Sequence, residues 1–228
     1  MKQFWICLLA LLLLAGCGAE EPADQAPDGE LSPEASTTVP TEGPVTLELE
    51  WETYAPSVEQ VWYVVENTGT ETVEFGEDYH LEMLGEDGAW YDVPWRENAA
   101  VNTIAYILQP GEKHAGTCSF SQFDYDFSGG GTFRVIKVVG DQTLTAEFTL
   151  REGAAISAEA PYGFGPMEDV PEYGDPAELA TTGAVVFTEA GVENADAAET
   201  FLEKVSLGIP CQLRTLQNYY ESWPMLID

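Results

Sequence analysis

Positive charge is scarce. Eight lysines and arginines stand against 40 aspartates and glutamates, for a formal net charge of −32 at pH 7. Nucleic acid is thereby excluded as a partner, because phosphate binding needs clustered basic side chains. An anionic membrane face would repel the body of this chain. Such charge favours solubility and suits cations or basic proteins. Histidine is nearly absent as well: His80 and His114 are the only two. A histidine-based metal site draws three or four ligands, so both read as ordinary strand residues. Neither G-x-S-x-G, H-E-x-x-H nor C-x-x-C occurs, and "GFGP" carries only two glycines of a dinucleotide loop before a proline intervenes. No catalytic residue is nominated, no cofactor is expected, and the chain is not read as an enzyme. Long apolar runs are missing apart from Phe4 to Ala15, shorter than the about 20 residues that a membrane span requires.

That run has the parts of an export signal: Lys2 in front, an apolar middle, and small residues at Leu14-Ala15-Gly16 before a cut. Leu14-Ala15-Gly16-Cys17 resembles the lipobox of bacterial lipoproteins at all four positions. The resemblance implies cleavage after residue 16 and a lipid on the Cys17 sulfur. The body would then lie outside the cytoplasmic membrane, anchored to its outer face by lipid alone. Two acyl chains, at about 0.8 kcal/mol per buried methylene, hold a protein stably where one does so marginally. Cys7 leaves with the signal. Cys118 and Cys211 remain, as a disulfide that the exported side permits or as two small buried thiols.

Residues 17–44 read as the lipidated cysteine and a disordered acidic tether. Residues 18–44 hold seven acids, five prolines and no aromatic residue, too little apolar area to offset ordering entropy. At Val45 the pattern changes. "VTLELEWE" alternates Val45, Leu47, Leu49 and Trp51 against polar neighbours, the period of a strand with one wet face. Further short strands follow at "VWYVVEN", "TVEF", "YHLEMLG" with its hairpin partner "AWYDVPW", "TIAYIL", "KHAGTCSF", "TFRVIKVV" and "TLTAEFTL", with turn signals between them. Seven to nine strands over 45–151 without a long helix predict a mainly β fold, an antiparallel β-sandwich. The segments "VWYVVENTGTETVEFGEDYHLEML", "AYILQPGEKHAG" and "GGGTFRVIK" resemble the bacterial immunoglobulin-like domains of Firmicutes surface lipoproteins. That resemblance implies an immunoglobulin-like sandwich and is silent on activity.

Residues 152–176 read as a linker with four prolines, though the aromatics of "PYGFGP" suit packing on a neighbour. Residues 177–228 read as a short α+β segment. "AVVFTE" is a strand, and "NADAAETFLEKVSLG" is a helix with Asn194 as N-cap, Phe201, Leu202 and Val205 as its apolar stripe, and Gly208 as its stop. Two strands follow. This pattern resembles the start of a small domain of unknown function in Firmicutes lipoproteins, which implies an incomplete copy.

One loop carries a weak calcium signal. In "DYDFSGGGTFRV", Asp124, Asp126 and Ser128 match positions 1, 3 and 5 of a calcium loop, but position 12 is Val135 where a bidentate glutamate belongs. Trp90, Tyr91 and Trp95 form an aromatic cluster, suited to a glycan or protein surface if exposed and to the core if buried. The leading expectation is a lipid-anchored extracytoplasmic protein whose immunoglobulin-like module serves binding or spacing. An envelope hydrolase with its site in the α+β segment and a purely structural envelope protein are the alternatives.

Overall fold

The computed structural model describes residue 32 and residues 34–100, 102–170, 175–218 and 225–227. Ten strands occupy the region from 45 to 150: β1 Val45–Leu49, β2 Thr53–Tyr54, β3 Gln60–Asn67, β4 Val73–Gly76, β5 His80–Leu84, β6 Trp90–Asp92, β7 Ala105–Leu108, β8 Lys113–Ser119, β9 Gly131–Val139 and β10 Gln142–Leu150. They form a five-stranded sheet in the order β2-β10-β9-β5-β6, a three-stranded sheet β1-β3-β8 and a β4–β7 pair. All pairings are antiparallel except β2 with β10. The hairpin expected from "YHLEMLG" and "AWYDVPW" is present, with Glu82 opposite Asp92.

Period-two patterning sets the inner faces. On β3, Val61, Tyr63 and Val65 alternate inward and are buried. They meet Leu81 of β5, Phe133 and Val135 of β9, and Leu144 and Phe148 of β10 in one core. Phe120, Phe127, Phe133 and Phe148 form a chain of ring contacts, with centroids 4.5 to 5.9 Å apart. Burial of a side chain this size contributes about 1.5–3 kcal/mol. One inward position of β9 is a charge: Lys137 is 1% exposed. Its Nζ donates to the carbonyls of Gly76 and Asp78 at 2.6 Å each and lies 5.6 Å from the Tyr63 ring centroid. Desolvation lowers its pKa from 10.5 to about 8.

The outer face of the larger sheet is not wet throughout, and the tether expectation needs correction there. Ser32 N–H donates to Asp92, Ser36 N–H to Trp90 and Thr41 N–H to Thr143, and Ala35 bridges Tyr91 at the β6 edge. Residues 34–41 therefore cross the sheet as a strap. Beneath them Glu82, fully buried, accepts from Arg134 Nε at 2.6 Å and from the Ser36 hydroxyl. Arg134 also donates to Thr38 O at 3.3 Å and lies 4.4 Å from the Trp90 ring centroid. The strap is held by backbone donors and a buried ion pair rather than by apolar side chains. Residues 17–31 of the expected tether, Cys17 among them, lie outside the described residues.

The segment read as a linker is anchored. Ile156 is buried in the sandwich core and its carbonyl accepts from Ala55 N–H at 2.7 Å. Beyond it come α1 Pro176–Ala180, β11 Val185–Thr188, β12 Gly191–Glu193, α2 Asp196–Ser206, β13 Thr215–Asn218 and β14 Met225–Ile227. The strands order as β12-β11-β13-β14, with β11 and β13 parallel. Leu179 of α1 packs on Val186 and Leu216. Asn194 is not the N-cap of α2: it adopts φ 56° and its amide donates to Ala184 O at 3.1 Å, while Ala195 holds the cap position. The apolar stripe expected on α2 is not buried either. Leu202 is 64% and Val205 53% exposed. The helix instead turns Phe201 and Lys204 toward the sandwich.

Candidate functional site

The residues singled out by sequence do not converge. Asp126 accepts from Ser128 N–H at 2.9 Å, capping a short 3-10 turn. That hydrogen bond holds its carboxyl below the usual carboxylate range. Val135, at the twelfth position of the calcium pattern, points into the core. Among the described residues no group of three or more His, Cys, Asp and Glu is placed to hold a metal ion. His80 is exposed on β5. His114 stacks on Tyr106 at 3.9 Å, and burial lowers its pKa. Trp95 packs with Tyr79 and Phe123 against the core, Trp90 carries Arg134, and Tyr91 donates to Asp87. Cys118 and Cys211 are both free thiols. Burial raises the pKa of each, so neither is an activated nucleophile.

The structure brings a different set together. Where the sandwich meets the α+β segment there is a cleft of about 950 Å³, at the upper end for small-molecule sites, which favour such junctions. Its sandwich wall comes from the chain just past β1. The strand ends at Leu49, so Glu50, Trp51 and Glu52 leave the alternation and turn to the junction. Tyr162 and Phe164 of the anchored linker form a second wall, and Asp196, Phe201 and Lys204 of α2 a third.

Basic side chains hold these walls together. Lys204 Nζ donates to Glu50 at 2.8 Å and lies 4.5 Å from the Trp51 ring centroid. Arg214 lies 4.8 Å from the Phe164 centroid and donates to Gly165 O at 3.0 Å. Lys113 of β8 bridges Glu203 of α2 at 2.6 Å, which raises its pKa. A cation over a ring contributes about 0.5–2 kcal/mol, more when desolvated. Three of the eight basic residues in the chain are thus spent on one junction. Inside the cleft, Glu52, Arg151, Tyr162 and Gln212 have no side-chain partner among the described residues, and they face solvent beside the aromatic rings.

Two signals for this cleft were present in the sequence. "PYGFGP" placed two aromatics in a proline-rich stretch, and Lys204 stood alone in a helix rich in acids. Trp51 gave no signal, since it continued the apolar alternation of its strand.

Residues 41–149, just under half of the chain, match the model of the bacterial Ig-like domain family. With the mainly β architecture, this makes the sandwich an immunoglobulin-like one followed by a short α+β segment. No curated protein matches the chain. Solved structures give slight likenesses. An alkylpurine DNA glycosylase from Pseudomonas fluorescens is 17% identical over 49% of this chain and 31% of its own, with a TM-score of 0.29. The archaellum periplasmic stator protein FlaG from Sulfolobus acidocaldarius is 16% identical over 46% of this chain and 99% of its own, at 0.30. A β-glucosidase from Listeria innocua is 15% identical over 46% of this chain and 16% of its own, at 0.26. The chain thus spans less than a third of the glycosylase and less still of the glucosidase. Likeness this slight carries nothing about activity.

Proposed function

We propose that this protein is a binding module of the cell envelope, held at the outer face of the cytoplasmic membrane by a lipid on Cys17. The observation that carries the binding role is the cleft at the junction. It is preformed, lined by aromatic rings, and equipped with polar side chains that have no partner in the described structure. The match to bacterial Ig-like domains supports an extracellular binding or structural module. The anchor rests on Leu14-Ala15-Gly16-Cys17. Among the described residues no helix is long and apolar enough to cross a membrane.

Membrane fractionation with intact-mass analysis tests the anchor. The native chain should sediment with membranes and carry acyl mass on a peptide that begins at Cys17. Cys17→Ala should release it to the soluble fraction. A Cys17→Ala chain that stays with the membrane overturns the anchor. The cleft is tested separately below.

A further inference from the structure

The sheet β1-β3-β8 ends in an uncovered strand. Asn67 N–H donates to Glu112 O at 3.0 Å, Phe120 N–H donates to Glu59 O at 2.9 Å, and the β3–β8 register between these two pairs is unbroken. Alternation along an antiparallel ladder fixes the rest. His114, Gly116 and Cys118 bond to β3, while Lys113, Ala115, Thr117 and Ser119 turn their main-chain groups away from it. Ser119 N–H meets the Tyr79 hydroxyl at 3.0 Å. No strand among the described residues pairs with the other three. Sheets commonly protect such an edge with a proline, a bulge or a covering element. Residues 113–119 hold no proline, and their ladder has no bulge.

Beside this edge lies a groove of about 360 Å³, with Ala115 and Thr117 in its lining. Short contacts tie its far wall to β8. His114 of β8 stacks on Tyr106 of β7, with centroids 3.9 Å apart. The Tyr106 hydroxyl donates to Glu77 at 2.5 Å, and the Asn102 amide donates to the same carboxylate at 2.8 Å. These bonds hold Glu77 below the usual carboxylate range. Charge along the edge is negative on balance. Glu77 and Asp78 outnumber Lys137, which is buried behind them. Glu66 and Glu203 outnumber Lys113, at 3.4 and 2.6 Å. A second copy of this chain would bring another −32 to this surface and be repelled.

We propose that β8 takes up an extended basic peptide segment of a partner protein as a fourth strand, with a lysine or arginine side chain in the groove at Glu77. Main-chain hydrogen bonds supply the affinity and the groove supplies the selectivity. This surface is separate from the junction cleft, and neither depends on the other.

The test is fluorescence anisotropy on the full lipidated chain in detergent. The probe is a labelled heptapeptide, TVTKTVT, with its central lysine replaced by norleucine or glutamate in two comparators. The lysine peptide should bind about fivefold or more tightly than either comparator. Glu77→Gln should remove the preference over norleucine and leave binding itself in place. Thr117→Pro should weaken binding about tenfold or more, because it deletes an outward N–H and spares the pairing with β3. Far-UV circular dichroism and melting show whether that variant keeps its fold. On the unaltered chain, single N-methylations along the peptide give an independent reading. One alternate set of amides should be sensitive and the other tolerant, since a strand turns every second residue toward its neighbour. No saturable binding of the lysine peptide at millimolar concentration overturns the proposal. So does a preference for glutamate, indifference to Thr117→Pro in a folded variant, or equal sensitivity at every amide. A dimer in sedimentation velocity that Thr117→Pro abolishes would place a second copy on the edge and overturn the basic partner.

Discussion

Replacing Glu82 with alanine should be among the most damaging single changes in the sandwich. The Glu82 carboxylate is fully buried between Arg134, 2.6 Å from Nε and 2.5 Å from Nη2, and the Ser36 hydroxyl of the strap. Arg134 is itself 6% exposed, with Thr38 O and the Trp90 ring as its other partners. Glu82→Ala leaves that guanidinium buried beside a carbonyl and a ring, neither of which neutralises it. Breaking a buried pair in this way costs about 3–5 kcal/mol, a large share of the about 5–15 kcal/mol that holds a domain together. With a urea slope of about 1.5 kcal/mol per molar, the midpoint falls by about 2–3 M. Equilibrium urea unfolding followed by tryptophan fluorescence reads this directly. The double variant Glu82→Leu with Arg134→Met should regain most of the loss, since both desolvated charges are gone. A single variant that costs less than about 1 kcal/mol, or a double variant as weak as the single, refutes the reasoning.

Lys137 should make stability depend on alkaline pH. Its pKa of about 8 in the folded chain lies below the ordinary 10.5, so between these values the unfolded chain holds a proton that the folded chain has released. Stability relative to Lys137→Met should be flat below pH 8, rise from about 8 to 10.5 by about 3.4 kcal/mol at most, and then level; a difference that does not change with pH contradicts this. Lys204→Ala should loosen the junction by about 1–2 kcal/mol through loss of the Glu50 and Trp51 contacts. Faster amide exchange in α2 with an unchanged sandwich core is the expected pattern, and uniform exchange across both parts would count against it. Gly130 has φ 69°, and a Cβ there would lie 2.7 Å from Leu150 O. Gly130→Ala should lower stability by about 1–3 kcal/mol in thermal melts, and a neutral result would show that the turn can relax.

The strands were readable because one simple rule governs them. Val61, Tyr63 and Val65 alternate, and the core takes every second residue. Turn glycines and the Asp87-Gly88 pair then placed the hairpins. The strap was not readable, since composition reports apolar content and residues 34–41 are held by main-chain donors and the Ser36 hydroxyl. Trp51 misled for the opposite reason: it kept the period of β1 while the strand itself ended two residues earlier. On α2 the spacing of Phe201, Leu202 and Val205 was sound helical patterning, but it could not show which face a neighbouring unit would take. Lys204 decided that orientation by pairing with Glu50, and Leu202 and Val205 were left exposed. Asp126 of the calcium pattern also caps a short turn, since an aspartate two residues before a serine is the signature of such a cap as well.

Photocrosslinking in living cells, with a benzophenone amino acid at Tyr162 of the lipidated chain, tests most directly that the cleft is a binding site at the envelope. A discrete product should form in the membrane fraction, and it should be lost when Cys17→Ala detaches the protein. The same probe at Glu147, on the exposed face of β10, should give none. No product from Tyr162 above that of the Glu147 probe would contradict the account.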